Sequence, residues 1–240
     1  DEDLLVTSLA LPPQRWLRHA KGALESRVAR AWKRYGNLLL RVAGRLGIDV
    51  ALAVAVVAAE DDPRGLAADN QLVLRFEPHL FFERWGRHNH ARFAEHFQFD
   101  PARPWQGHRW RAAAGEPWQE VHDSLASEWA AFDLARALDK TDACAATALG
   151  FAGTLGASYA AAGYQSPAQM ADAFASSERF QLLARFDLLA GPDGDSRQVT
   201  ALRNNDLETY ATLAAGPGQA ARLAGALRAA AQAFQRLDAG

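Results

Sequence analysis

Glu60 is the residue whose type and position best fit catalysis in this chain. It follows an apolar run at residues 50–59 and precedes two aspartates and a proline at residues 61–63. Asp49 is a favourable N-cap for the run, and proline cannot continue a helix because it lacks an N–H donor. The sequence therefore predicts that Glu60 lies in the last turn of a buried helix.

Three effects at such a position favour the protonated form of Glu60. They are a low-dielectric neighbourhood, the negative end of the helix dipole and two adjacent carboxylates. A carboxylic acid that keeps its proton near neutral pH is what cleavage of a glycosidic bond requires. The alternative is a solvated acidic helix end before a turn, with no chemical role, and the local sequence leaves both interpretations open.

Composition narrows the range of functions. The chain has 240 residues, 49% hydrophobic content and a net charge of -2, so no basic surface indicates nucleic-acid binding. The apolar run is too short to cross a membrane. One cysteine, Cys144, excludes an internal disulfide. No secretory signal is evident, the compartment stays unassigned, and no cofactor is expected.

The residue pattern predicts helices nearly everywhere. We expect two helices within residues 14–46 that break near Gly36, a short strand at 72–76 and an aromatic helix at 78–85. Residues 88–117 are rich in His, Arg, Trp, Pro and Gly, which indicates a long functional loop. No repeat or linker is evident, so we predict one all-α domain over residues 1–240.

Several motifs together resemble one family of enzymes. They are the helix that ends at Glu60, the sequence Phe76-Glu77-Pro78-His79-Leu80-Phe81, residues 118–122, Ser127-Glu128-Trp129, Ala162-Gly163-Tyr164 and Gly216-Pro217-Gly218-Gln219. In order and spacing the chain resembles the N-acetylmuramidases of phages and injection machines, which cut peptidoglycan glycan strands. The resemblance covers residues 32–240, and residues 1–31 form an N-terminal extension or first helix. It implies a lysozyme-like, mainly helical fold with a short β-hairpin at the cleft.

The resemblance also implies roles for individual residues. Glu60 corresponds to the catalytic general acid of the family. Glu77 is a candidate second carboxylate, and the alternative is that Glu77 and His79 brace the cleft wall through a hydrogen bond. The resemblance places five further residues at the substrate: Trp118, Gly150, Gly153, Ser158 and Tyr164. We expect Glu60 to point into a groove lined by Glu77, His79 and the turn at residues 150–156.

The chain departs from the family at the cleft. Where members carry a glutamine and an asparagine, this sequence has Gly153 and Ser158, and a Tyr-Asn pair is replaced by Ala214 and Ala215. These replacements remove hydrogen-bonding groups that a hydroxyl-rich sugar requires. The pattern therefore indicates loss of catalysis in a retained scaffold as a second interpretation.

Two further sets of side chains each have a structural and a functional interpretation. The histidines at 88, 90, 96 and 108 are interpreted as loop and surface residues; zinc binding is the alternative, and no metal site is assigned. The tryptophans at 85, 105, 110 and 118 are suited to stacking on sugar faces, or else they pin a long loop to the body.

Two functional hypotheses follow. The first is an active muramidase-type glycoside hydrolase acting on peptidoglycan glycan strands with Glu60 as the acid. The second is a degenerate domain that binds peptidoglycan or docks within a phage-like or contractile injection assembly. An unrelated all-α binding protein is a third alternative. Neither nucleic acid nor a membrane is expected as a partner.

Overall fold

A computed structural model describes residues 20–59, 65–194 and 196–239. Over this part of the chain the helices are α1 (Ala23–Leu46), α2 (Val50–Ala58), α3 (Pro78–Phe81), α4 (His90–His96), α5 (Leu125–Leu138), α6 (Lys140–Ala145), α7 (Pro167–Ser176), α8 (Glu178–Ala190), α9 (Arg197–Arg203), α10 (Leu207–Ala215) and α11 (Pro217–Ala239). The strands are β1 (Leu74–Phe76), β2 (Phe97–Gln98), β3 (Arg109–Trp110), β4 (Gln119–Glu120), β5 (Thr147–Leu149) and β6 (Thr154–Leu155). The prediction of a mainly helical, lysozyme-like fold is confirmed.

The chain divides into two compact units. The first combines residues 1–63 with residues 185–240, and the second comprises residues 64–184. A single domain over residues 1–240 stays a prediction. Within the described residues, no helix is both long enough and apolar enough to cross a membrane.

Helix α1 in the first unit is continuous, so the predicted break near Gly36 is wrong. Gly36 is buried inside the helix, and a Cβ there would lie 3.1 Å from the ring of Trp32. Glycine costs about 1 kcal/mol relative to alanine in a helix, which tertiary packing readily offsets. The helix instead ends at Gly47, whose left-handed backbone (φ 65°) closes the last turn.

Helix α2 forms the centre of the first unit and packs against α1 and α11. Every residue from Ala51 to Ala58 is buried, because the run is made only of alanine, valine and leucine. The Asp49 side chain accepts a hydrogen bond of 2.7 Å from the Ala51 backbone N–H, which confirms the predicted N-cap.

The second unit contains two small antiparallel sheets. One has the strand order β1-β5-β6, with Leu74 opposite Leu149 and Phe76 opposite Thr147. The other has the order β2-β3-β4, with Trp110 opposite Phe97 on one side and Gln119 on the other. The prediction of one loop over residues 88–117 is therefore wrong, since α4, β2 and β3 lie within it.

Aromatic side chains fill the core of the second unit. Phe76 at the end of β1 packs against Phe81, Phe97 and Phe132, with ring centroids 5.5–6.4 Å apart. Burial of aromatic rings contributes most of the apolar surface that small, irregular elements can remove from water. This cluster fixes the end of β1, from which Glu77 and His79 follow.

Cys144 lies buried in α6 under the turn at residues 156–158. The backbone of Gly156 lies so close to the Cys144 carbonyl that a Cβ at position 156 would overlap its oxygen. Burial raises the pKa of the Cys144 thiol above its ordinary value.

Candidate functional site

Glu60 lies outside the described residues, but the helix before it is well defined. Ala59 caps α2 in a helical conformation, and its N–H donates a hydrogen bond of 2.8 Å to the Ala55 carbonyl. The predicted buried helix is present, and in the sequence Glu60 directly follows its C-cap, Ala59.

A pocket opens in the first unit at the C-terminal end of α2. Its cavity volume is about 250 Å³. The lining includes Val56 and Ala59 of α2, Arg185 of α8, Tyr210, Ala214 and Ala215 of α10, and Gln219 and Arg222 of α11. The residue before Glu60 thus forms part of a cavity wall.

Ala214 and Ala215 contribute only methyl groups to this pocket. Both are exposed at the end of α10. In the resemblance described above, they correspond to the two positions where members of that family carry tyrosine and asparagine. The pocket wall therefore offers no side-chain hydrogen bond at either position.

Past the undescribed residues 60–64, two buried side chains hold the chain in the second unit. Oε1 of Glu178 accepts hydrogen bonds from the N–H groups of Gly65 (2.9 Å) and Leu66 (3.1 Å). The Gln181 side chain lies against Gly65 so closely that a Cβ there would overlap it. The chain is thus fixed five residues after Glu60.

The turn after β5 carries two of the predicted substrate residues. The N–H of Gly150 donates to the Val73 carbonyl (2.8 Å), and a Cβ at this glycine would overlap Gln181. Gly153 is exposed, with φ +55° and nothing within 4 Å of its Cβ position. A glutamine there would have room but would strain the left-handed backbone.

Glu77 and His79 lie at the other end of β1. Oε1 of Glu77 accepts a hydrogen bond of 2.8 Å from Nε of Arg75, and Oε2 lies 3.6 Å from Nδ1 of His79. Since β1 pairs antiparallel with β5, the turn at residues 150–156 begins beside the first residue of β1 while Glu77 follows the last. The structure thus separates these two parts of the predicted groove lining by the length of β1.

His79 begins a chain of contacts that runs into the core of the second unit. Its Nδ1 lies 3.1 Å from Nε2 of His108, and Nδ1 of His108 lies 2.6 Å from Nε2 of His122. Nδ1 of His122 lies 2.6 Å from Oε1 of Glu128. The second oxygen of this buried carboxylate accepts a hydrogen bond of 2.8 Å from the Phe76 N–H.

His108 lies in the loop before β3, as predicted, but it is buried, so its interpretation as a surface histidine is wrong. Its ring stacks on that of His79, with centroids 5.1 Å apart, and Nε2 lies 2.7 Å from the Pro104 carbonyl oxygen. Burial lowers the pKa of His108, against raising contributions from the Pro104 carbonyl and Glu77. Burial also lowers the pKa of His79, opposed mainly by Glu77. Both imidazoles are therefore held towards the neutral form.

Sequence reasoning missed His108, His122 and Glu128 as a connected set. The last two fell within motifs quoted for the family, but nothing in their spacing indicates that they touch. Contact arises only because β3, the turn at residues 121–123 and α5 fold onto the end of β1.

The remaining predicted binding residues are spread over the second unit. Trp118 is half-buried, with the Arg111 guanidinium carbon 4.4 Å from its ring centre. Tyr164 is half-buried edge-on to Phe174, and Ser158 ends a short 3-10 turn.

The other tryptophans mostly serve packing. Trp110 is buried and donates through Nε1 to Ser127 Oγ, and Trp85 stacks on Phe81, whereas Trp105 is 63% exposed.

The described residues form a mainly helical, lysozyme-like fold. The sequence profile of the family described as Muramidase, N-acetylmuramidase, matches residues 49–235, and the chain therefore belongs to this family. The crystal structure of the Burkholderia AP3 phage endolysin matches the fold with a TM-score of 0.63 and 25% identity, covering 82% of this chain and 70% of the endolysin chain. A comparison with curated proteins gave no significant match.

Proposed function

We propose that the chain is a muramidase that cleaves peptidoglycan glycan strands with Glu60 as the general acid. The observation that supports this most directly is the position of Ala59, which caps the buried helix α2 and also lines the pocket at its end. The negative end of the α2 dipole and the pocket wall both lie at Ala59, the residue directly before Glu60 in the sequence. These surroundings favour a carboxylic acid that keeps its proton.

In the proposed reaction Glu60 donates its proton to the glycosidic oxygen as the bond to the sugar ring breaks. The ring passes through an oxocarbenium-like transition state, and water completes the hydrolysis. An inverting enzyme activates that water with a second carboxylate about 6.5–9.5 Å from the first, and a retaining enzyme uses a closer one.

Glu77 serves better as a brace than as that second carboxylate. One oxygen is bound to Arg75, and the other faces His79 and His108 at 3.6 Å. With one oxygen hydrogen-bonded to Arg75 and the other beside two imidazoles, this carboxylate is poorly placed to activate water. We therefore assign Glu77 and His79 to supporting roles.

We assign Trp118, Tyr164, Ser158 and the turn containing Gly150 and Gly153 to binding of the glycan strand. The two aromatic rings are each partly open to solvent, and such rings stack on the apolar faces of sugars.

One observation favours a second candidate function, a catalytically degenerate domain that binds peptidoglycan or docks in a phage-like or contractile injection assembly. Ala214 and Ala215 line the pocket beside Ala59 without any side-chain donor or acceptor. A sugar hydroxyl that loses such a partner costs about 1–3 kcal/mol of interaction free energy when it stays buried and unsatisfied.

The test measures reducing ends released from purified peptidoglycan by the wild type and by Glu60→Gln. The substitution keeps the shape and removes the proton donor, so release should fall at least about a hundredfold. Glu116→Gln removes a carboxylate from an exposed loop and is the matched control, expected to keep full activity.

Equal release by Glu60→Gln and the wild type would exclude Glu60 as the acid. No release by either, together with equal retention of both on insoluble peptidoglycan, would establish the degenerate binding domain instead.

A further inference from the structure

We propose that Glu77, His79 and His108 bind a divalent metal ion of the zinc type. One ligand atom from each of the three residues lies within 4.8 Å of the other two. This inference concerns the end of β1 in the second unit and does not depend on the role of Glu60.

The distances between these atoms suit a small tetrahedral ion. Zinc binds imidazole nitrogen and carboxylate oxygen at about 2.0–2.2 Å, which puts two ligand atoms of a tetrahedron about 3.3 Å apart. Nδ1 of His79 lies 3.1 Å from Nε2 of His108 and 3.6 Å from Oε2 of Glu77. These two distances differ from the tetrahedral spacing by a few tenths of an ångström.

The hydrogen bonds behind His108 lack one hydrogen when both imidazoles are neutral. Three contacts join the Pro104 carbonyl, His108, His122 and Glu128 in that order. The two end groups are acceptors, so all three hydrogens must come from two imidazoles, and a neutral imidazole carries only one. With Glu128 ionised and no ion bound, the three contacts need one hydrogen more than two neutral imidazoles supply.

A metal ion on Nε2 of His108 removes this deficit. Nδ1–H of His108 then donates to Nε2 of His122, and Nδ1–H of His122 donates to the Glu128 carboxylate, with both rings neutral. The Pro104 carbonyl, released from Nε2, remains beside the ion as an oxygen donor. Metal-binding histidines in proteins almost always donate their other N–H to such a partner.

The carboxylate ligand, Glu77, is also held in place by a hydrogen bond from a neighbouring side chain. Oε1 of Glu77 accepts a hydrogen bond from Arg75, and Oε2 lies 3.6 Å from Nδ1 of His79 and 3.6 Å from Nδ1 of His108. The Glu77 and His79 side chains are 16% and 19% exposed, so an ion can enter from solvent. A set of two imidazoles and one carboxylate favours zinc and its transition-metal neighbours over magnesium or calcium, which prefer oxygen ligands.

The experiment uses the full chain purified without a histidine tag, stripped with a chelator and titrated with zinc chloride by calorimetry. Metal content after desalting and the midpoint of thermal unfolding are measured on the same samples. We expect one zinc per chain and a higher midpoint with zinc, and neither effect with magnesium chloride.

Three variants locate the ion. His79→Ala and Glu77→Gln each remove one ligand at a partly exposed position and should abolish stoichiometric binding. Glu128→Gln alters the last member of the supporting chain and should weaken zinc binding by about 10–100-fold. His88→Ala removes an exposed histidine outside the cluster and should bind as the wild type does.

Circular dichroism of the metal-free variants checks that they fold, and cobalt substitution gives a second readout through the absorption of a tetrahedral site. Failure of the wild type to retain zinc would overturn the proposal. Retention by His79→Ala and Glu77→Gln at the wild-type level would also overturn it.

Discussion

Gly156 shows how a single hydrogen atom in place of a side chain can decide local packing. Its backbone lies against the Cys144 carbonyl, and a Cβ would overlap that oxygen and approach the carbon of the same group. Both obstacles are backbone atoms of α6, which cannot rotate away as a side chain can. The turn at residues 156–158 therefore tolerates only glycine at its first position.

We expect Gly156→Ala to lower the free energy of unfolding by about 1–3 kcal/mol, the usual cost of forcing extra volume into a packed interior. Urea unfolding followed by circular dichroism measures the change.

Gly44→Ala provides a control of opposite sign. Gly44 is exposed in α1 with nothing within 4 Å of its Cβ position, so alanine there should stabilise by about 0.5–1 kcal/mol. Equal stability of the two variants would show that the approach to Cys144 relaxes without cost.

At this scale the sequence predicted what depends on near neighbours in the chain. Asp49 accepts the predicted cap hydrogen bond from the Ala51 N–H (2.7 Å), because a helix cap needs only near neighbours in the chain. The contacts that link His108 through His122 to Glu128 escaped prediction, since they depend on how separate elements fold together. Local spacing carries no information about such a contact.

Helix α2 is the element on which the proposed acid depends. It has no charged side chain; Asp49 caps its start, and it ends at Ala58 with Ala59 as the C-cap. The cap satisfies an N–H group that the helix itself leaves without a partner. Its loss should loosen the helix that precedes Glu60 in the sequence.

We expect Asp49→Ala to cost about 1 kcal/mol of stability, within a range of about 0.5–2. For a chain of this size that corresponds to about 2–4 °C in the midpoint of thermal unfolding, which calorimetry measures. Asp193→Ala changes an exposed aspartate in a loop of the same unit and should leave the midpoint in place. A matching fall in both variants would mean that the cap contributes nothing specific.

Helices were easier to predict than strands for a physical reason. An amphipathic helix repeats its pattern over many residues, whereas β2, β3 and β4 are two residues long and show no full alternation. The break predicted at Gly36 followed from the low helix propensity of glycine. In the structure the Trp32 ring packs over Gly36, and the helix continues.

For the whole molecule, family membership could be read from motifs in order along most of the chain, while activity could not. The cleft replacements leave hydrolase and degenerate domain as competing functions, and Glu60 itself lies outside the described residues. Ala214 and Ala215, which stand where the resemblance places tyrosine and asparagine, line the pocket beside Ala59. Both are exposed and can accept larger side chains.

We therefore expect Ala214→Tyr combined with Ala215→Asn to raise the rate of peptidoglycan hydrolysis about tenfold or more, since each regained hydrogen bond contributes about 0.5–1.5 kcal/mol. Reducing-end release measures the change, and adding Glu60→Gln to the double variant should remove the gain. An unchanged rate would show that the two alanines are not what limits turnover.

The buried thiol of Cys144 has a practical consequence for spectroscopy. With its raised pKa and no access to solvent, this thiol should remain unmodified by maleimide reagents while the protein is folded. A cysteine introduced at an exposed site such as Ala113 would then be labelled selectively with a fluorophore or spin label, while Cys144 stays unlabelled. Labelling at one chosen site therefore does not require replacement of Cys144.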